Sequence, residues 1–133
     1  MGIDFGAKRT GISVTDPLQI IVQGLETIKT EALMDFIDGY SKKEQIDSFV
    51  VGYPFLDGNW GNKKFKEKLD SFITDLRKRF PSSPVHLHDE RFTSMQAREI
   101  IHQKGLSKTK RQDKALLDQT SAIIILQEYL GHI

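Results

Sequence analysis

The sequence predicts an α/β domain: a mixed five-stranded sheet, three antiparallel strands followed by two parallel ones, with helices on both faces. Three observations predict it. Two short apolar stretches, residues 2–6 and 11–15, flank the polar connection Ala7-Lys8-Arg9-Thr10, which is bracketed by Gly6 and Gly11 and has hairpin length. Phe49-Val50-Val51 is a continuous apolar run, the pattern of a strand buried on both faces rather than an amphipathic one. After residue 30, helical and extended patterns alternate, which places helices against a sheet.

The elements follow in order. Strands at 2–6 and 11–15 pair antiparallel, and a third is expected around Ile20–Ile28, after the turn signal Asp16-Pro17. Leu33, Phe36 and Ile37 recur at helical spacing behind Thr30, a residue of capping character, so a short helix is expected to about Tyr40. Ile46–Gly52 reads as a central parallel strand. Tyr53–Gly61 is rich in turn-formers. Phe65, Leu69, Phe72, Ile73 and Leu76 then share one face of a long helix that Pro81 ends. Pro84–His88 is a brief strand. Thr93 with Gln96 resembles a capping box for a helix to about Gln103, closed by Gly105, and a last helix runs from about Lys114 to Leu130 with Leu117, Ile124 and Leu126 directed into the core.

The chain has 133 residues, enough for one domain with a real core, so residues 1–133 are read as a single unit. Hydrophobic residues make up 38% and charged residues 28%, which excludes wholesale disorder and fibrous designs. With no cysteine there is no disulfide framework, thiolate metal site or catalytic thiol. No apolar run is long enough to span a bilayer, and Met1-Gly2-Ile3-Asp4 opens without the charged-then-apolar pattern of a secretion signal, so a cytoplasmic protein without membrane partners is expected. The formal net charge of +1 does not announce a nucleic-acid binder, but its distribution does more: residues 104–114 carry five basic residues against one acid, including Lys108, Lys110 and Arg111.

Three acids stand next to core sequence. Asp4 lies between Ile3 and Phe5 in an apolar strand, where a carboxylate is costly to bury unless paired or bound to a cation; a strand-end Asp turned to solvent is the plain alternative. Glu90 follows the 85–88 strand, at the carboxyl edge where open α/β sheets bind ligands, although Asp89 and Glu90 also suit the start of a helix. Asp118 has small apolar neighbours Ala115 and Ala122 one turn away, so it is expected to face inward; a first-turn acid on an exposed edge is the alternative. Together the three suggest a shared Mg²⁺ or Mn²⁺, because converging carboxylates repel unless a hard cation neutralises them. Such a site suits phosphoryl chemistry. The four histidines lack zinc-like spacing, and His86 and His88 read as ordinary strand residues.

Gly2-Ile3-Asp4-Phe5-Gly6-Ala7-Lys8-Arg9-Thr10-Gly11, Val50-Val51-Gly52-Tyr53-Pro54 with Asp57-Gly58, Asp89-Glu90-Arg91-Phe92-Thr93, and Asp118 through Gln127 resemble, in order and spacing, the YqgF/RuvX family of Holliday-junction-resolvase-like proteins, also described as pre-16S rRNA nucleases. The resemblance implies an RNase H-like fold and a divalent-metal-dependent hydrolase of phosphodiester bonds, with processing of the 5′ end of the 16S rRNA precursor as the favoured activity. It carries catalytic and metal-binding roles onto Asp4, Glu90 and Asp118, and phosphate contacts onto Lys8, Arg9 and Arg91, the two arginines offering paired guanidinium donors.

The sequence departs from the related nucleases at the metal set: three residues after Asp118 stands Ser121, where a fourth carboxylate would complete a two-metal set. Other readings stay open. The chain could be a DNA junction endonuclease, acting as a homodimer because two strands must be cut, whereas RNA trimming needs only a monomer. It could also be a non-catalytic nucleic-acid-binding factor in ribosome biogenesis or transcription. Hairpins of the type Asp-x-Gly-x-x-x-x-Gly open actin-like ATPases too, but those have two related lobes and this chain shows no repeat. Tyr53, Phe55 and Trp60 could stack on unpaired bases or anchor their loop on the next helix.

Overall fold

The structure, a computed structural model, describes residues 1–55, 62–89 and 114–132. Its elements are β1 (Gly2–Asp4), β2 (Arg9–Thr15), β3 (Val22–Gly24), β4 (Ile28–Lys29), a 3₁₀ turn (Thr30–Ala32), α1 (Leu33–Ser41), β5 (Phe49–Gly52), α2 (Lys63–Arg79), β6 (Val85–His88) and α3 (Lys114–Leu130). The sheet runs β3-β2-β1-β5-β6, with β4 added beside β2 off that path. β1 and β2 pair antiparallel, Asp4 opposite Gly11, and β2 pairs antiparallel with β3 and β4. β5 lies parallel to β1 and to β6. The expected order of three antiparallel and two parallel strands is therefore present.

Alternation along the strands sends the two sets of side chains to different helices. Ile3, Phe5, Ile12, Phe49 and Val51 pack with Leu33 and Ile37 of α1 and Leu69, Phe72, Ile73 and Leu76 of α2. Val50 packs on the other face with Ile125 and Leu126 of α3. Gly2 and Ser13 also face α3: a Cβ on Gly2 would stand 3.0 Å from the Ala122 carbonyl oxygen, and the buried Ser13 hydroxyl donates to that oxygen at 2.7 Å. No helix among the described residues is long and apolar enough to cross a membrane.

Local differences from the sequence expectation have physical causes. The expected third strand is two strands, separated at 25–27, and it starts late, because the Asp16 carboxylate accepts from the amides of Leu18, Ile20 and Ile21 at 3.2, 2.8 and 2.6 Å and holds a turn with Gln19 at φ 58°. Pairing resumes only at Val22. Arg9 and Thr10, expected in the hairpin turn, belong to β2 and pair with Lys29 and Ile28 of β4. Thr30 does not cap α1: its hydroxyl donates to the Gly6 carbonyl at 2.7 Å and lies 2.9 Å from the Thr10 hydroxyl. The helix then begins at Leu33 and runs through Gly39 to Ser41. The central strand starts at Phe49 rather than Ile46. In α3, Ile124 and Leu126 are buried as expected, Leu117 only partly, and Ala122 and Ile125 are further core residues. The helix expected at 93–103 lies outside the described residues.

Candidate active site

Three strands end on one edge of the sheet. β1, β5 and β6 run parallel, so Asp4, Gly52 and His88 mark their carboxyl ends, and the Tyr53 amide donates to the His88 carbonyl at 2.7 Å to carry that edge one residue further. β2 runs the other way and starts there, with Arg9, Thr10 and Gly11. Asp4 shares its strand face with Gly2, so it points to the α3 side of the sheet.

α3 reaches this edge because Gly11 has no side chain. A Cβ at Gly11 would fall on the Asp118 carbonyl group and stand 2.9 Å from the Gln119 nitrogen, so helix backbone rests directly on strand backbone. Gly24 on β3 makes the matching seat for the Gln119 side chain. Asp118 thus sits over the residue that is cross-strand partner to Asp4, and a hydrogen-bonded or adjacent antiparallel pair holds its Cα atoms about 4.5–5.5 Å apart. Both Asp4 and Asp118 are intermediate in burial, at the rim of the core.

Arg9, on the same face of β2 as Gly11, places Nε 3.7 Å from an Asp118 carboxylate oxygen. Both side chains keep contact with solvent, 41% and 27% exposed, so this pair holds orientation more than stability. Lys8 lies exposed in the preceding connection, whose path is pinned by the Thr30 amide donating to the Lys8 carbonyl at 3.0 Å. The structure therefore brings Asp4, Asp118, Lys8 and Arg9 to one edge. Glu90, Arg91, Lys108, Lys110 and Arg111 lie outside the described residues, and Glu90 follows His88 by two positions along the chain. Among the described residues no three His, Asp or Glu side chains gather closely enough to hold a metal ion; they supply two of the three expected oxygen donors. Ser121, at the place of the absent fourth acid, is 1% exposed, on the packed side of α3.

Around this edge are contacts that the sequence did not disclose. Tyr53 is buried, with its hydroxyl donating to Asp70 at 2.7 Å, while Lys66 donates to the other Asp70 oxygen at 2.8 Å. Burial pulls the Asp70 carboxyl upward, but the hydrogen bonds from Lys66 and Tyr53 outweigh it and hold it below the ordinary value. Burial and the Asp70 hydrogen bond raise the Tyr53 phenol. Phe55 stands edge-on to Tyr53 at 5.6 Å and meets Phe65 at 6.1 Å. Tyr53 and Phe55 are thus loop anchors on α2, and Trp60 lies outside the described residues. His88 and Glu128 approach to 2.8 Å, and His86 stacks on Tyr129 at 5.1 Å, so both strand histidines engage α3. An i,i+4 Lys66–Asp70 spacing was visible in the sequence; its third member, Tyr53, was not.

Comparison with known proteins agrees with this architecture. A family model described as "RuvX: Holliday junction resolvase" matches residues 1–132. Among curated proteins, the "Putative pre-16S rRNA nuclease" of Bacteroides thetaiotaomicron is 46% identical over 130 residues, covering 98% of this chain and 94% of the relative. The proteins of the same name from Porphyromonas gingivalis and Flavobacterium johnsoniae are 45% and 43% identical, covering 99% and 98% of this chain and 95% and 94% of theirs. With the match extending over essentially the whole sheet and its carboxylate edge, the chain belongs to the RuvX/YqgF family of Holliday-junction-resolvase-like proteins.

Proposed function

We propose that the chain is a divalent-metal-dependent nuclease that processes the 5′ end of the 16S rRNA precursor, with Asp4, Glu90 and Asp118 as metal ligands. The observation that carries this reading is the bare seat at Gly11: it lets α3 set Asp118 over the cross-strand partner of Asp4, on the edge from which the β6 segment leads to Glu90. All-oxygen donors of this kind fit Mg²⁺ or Mn²⁺. A divalent ion held by these carboxylates would supply Lewis-acid charge to phosphodiester hydrolysis.

The chain's own residues do the rest. Asp4 is held by strand pairing and Asp118 by helix packing, so the two carboxylates need little rearrangement to act together. Arg9 offsets their mutual repulsion and is placed to take a phosphate oxygen, with Lys8 and, by family analogy, Arg91 beside it. Lys108, Lys110 and Arg111 extend the contact along the nucleic acid. The names borne by the relatives favour RNA and, through rRNA processing, a cytoplasmic site of action; trimming of an RNA end can be done by a monomer, whereas a junction would call for a homodimer.

A second reading, cleavage of DNA junctions, is favoured by the description of the matching family model. One assay separates the two. Purified protein is incubated with Mg²⁺, Mn²⁺ or EDTA and with precursor rRNA fragments, short RNAs or four-way DNA junctions, alongside its mass in solution. Metal-dependent cutting of precursor rRNA by a monomer is expected; junction cutting by a dimer would replace it. Asp4→Ala should abolish cleavage and retain nucleic-acid binding. Unchanged cleavage by that variant would sink the catalytic assignment, and binding without any cleavage by the unaltered protein would leave a non-catalytic factor.

A further inference from the structure

A cleft of about 1540 Å³ lies on the opposite face of the sheet from α3, between α2 and the β4–α1 junction. It communicates with the carboxylate edge because Arg9 lines it and also contacts Asp118. Small-molecule sites are typically about 300–1,000 Å³ and mostly apolar-walled. This one is larger and its rim is charged. Its apolar floor, Phe5 and Phe72, is closed: the rings stack at 5.0 Å and are 6% and 8% exposed, so no aromatic face is offered to a base.

The charge is graded along its length. α1 and α2 both start at the carboxylate edge, since each follows a strand that ends there. At that end the exposed lysines Lys8, Lys29, Lys64 and Lys68, with Arg9, outnumber the acids that line it among the described residues, Glu31, Asp35 and Glu67. Lys29 is also the direct cross-strand partner of Arg9, which sets its charge beside the Arg9–Asp118 pair. At the far end the excess disappears: Lys78 stands one turn from Asp75, and Arg79 is committed to Asp38. The span from Lys64 to Arg79 is about 22 Å of helix, at about 1.5 Å per residue.

We infer that the carboxylate end of this cleft is a second phosphate-binding surface, gripping the backbone of a nucleic-acid strand as it leaves the cleavage edge, through Lys8, Lys29, Lys64 and Lys68. This rests on the reading of the edge as a nuclease site and adds the path of the strand across the opposite face. Lysines act as point charges on phosphate, and with no exposed aromatic among the described residues that line the cleft the grip is independent of base sequence. The falling charge gives the path a polarity: the strand is held beside the carboxylates and released towards the far end of α2.

Binding of fluorescent single-stranded RNA, duplex RNA and single-stranded DNA of matched length and varied sequence is measured by anisotropy in EDTA, between 50 and 200 mM salt. Compared are the unaltered chain, Lys29→Gln/Lys64→Gln/Lys68→Gln, and Lys42→Gln/Lys43→Gln, whose exposed lysines lie at the end of α1 outside the cleft. Losing three phosphate contacts should weaken binding about ten- to a hundred-fold and flatten the log–log salt slope by about 2–3, since each contact contributes about 0.7 on single strands and 0.9 on duplex. The loss should be equal across sequences, the control pair should bind as the unaltered chain, and a matched circular dichroism melt excludes misfolding. The backbone type that loses most identifies the strand the cleft takes. Unchanged affinity and slope in the triple variant would overturn the inference even if cleavage is robust. Conversely, the expected loss of binding in a protein that cleaves nothing under any metal would overturn the nuclease reading and leave the cleft in place.

Discussion

Glycine positions separate packing from conformational freedom at the level of single residues. A methyl group at Gly11 has nowhere to go but into the Asp118 carbonyl, which is helix backbone and cannot step aside as a side chain would. Gly11→Ala should therefore cost about 1–3 kcal/mol, as overpacking of a tight contact does, and displace Asp118 from Asp4. A lowered melting midpoint with a larger proportional loss of cleavage is the expected pair of results. Gly39 is the counterpart, since nothing lies within 4 Å of its would-be Cβ in the middle of α1. Gly39→Ala should stabilise by about 0.5–1 kcal/mol, read from the same denaturation curves. Arg9→Gln tests a third case: its ion pair with Asp118 is partly exposed, so the change should move stability by less than about 1 kcal/mol while lowering nucleic-acid affinity and cleavage. A large drop in stability would mean that Arg9 is structural.

Among the elements, the segments with the strongest local signals were readable from sequence and the shortest were not. α2 announces itself through Leu69, Phe72, Ile73 and Leu76, and β5 through Phe49, Val50 and Val51, because burial of a helix stripe or a two-sided strand needs those residue types in those periods. The late start of β3 and the entry into α1 were hidden, since each is decided by which groups one carboxylate or hydroxyl bonds: amides just downstream for Asp16, a carbonyl 24 residues back for Thr30. Thr30 has the composition of a cap, yet it bonds to Gly6, and sequence spacing carries no record of that choice. The Asp16 turn is the second case, and its chemistry can be tested by pH. The Ile21 amide, with those of Ile20 and Leu18, holds the Asp16 carboxyl below its ordinary value. A folded-state value below the unfolded one means that the turn's order is present above the usual carboxylate range, near pH 4, and is lost as pH falls through the depressed value. Amide exchange at Leu18, Ile20 and Ile21 should therefore accelerate, beyond the intrinsic trend, only in acid, and Asp16→Asn should abolish that step.

The whole molecule is organised by the diagonal course of α3. Asp118 rests on Gly11 of β2, Ala122 accepts from Ser13, Ile125 and Leu126 pack on Val50, and Glu128 and Tyr129 reach His88 and His86 on β6. One helix thereby ties the strand that carries Asp4's partner to the strand that leads to Glu90. The acids of the candidate site were legible because a carboxylate in apolar sequence is conspicuous, whereas this tie was not: Glu128 looks like any polar residue on a helix, and His88 like any strand residue. If α3 sets the spacing of the two ends of the edge, the His88–Glu128 contact should matter to chemistry beyond its contribution to stability. The pair is about a quarter exposed on each side, so a double-mutant cycle with His88→Ala and Glu128→Ala should give a coupling of only about 1 kcal/mol in unfolding. Under the proposed nuclease activity, each single variant should lower the cleavage rate several-fold at saturating substrate with little change in binding, because β6 would no longer hold the Glu90 segment in register with Asp118. Equal losses in rate and affinity would instead assign the pair to the binding surface, and an unchanged rate would show that β5 pairing alone positions β6.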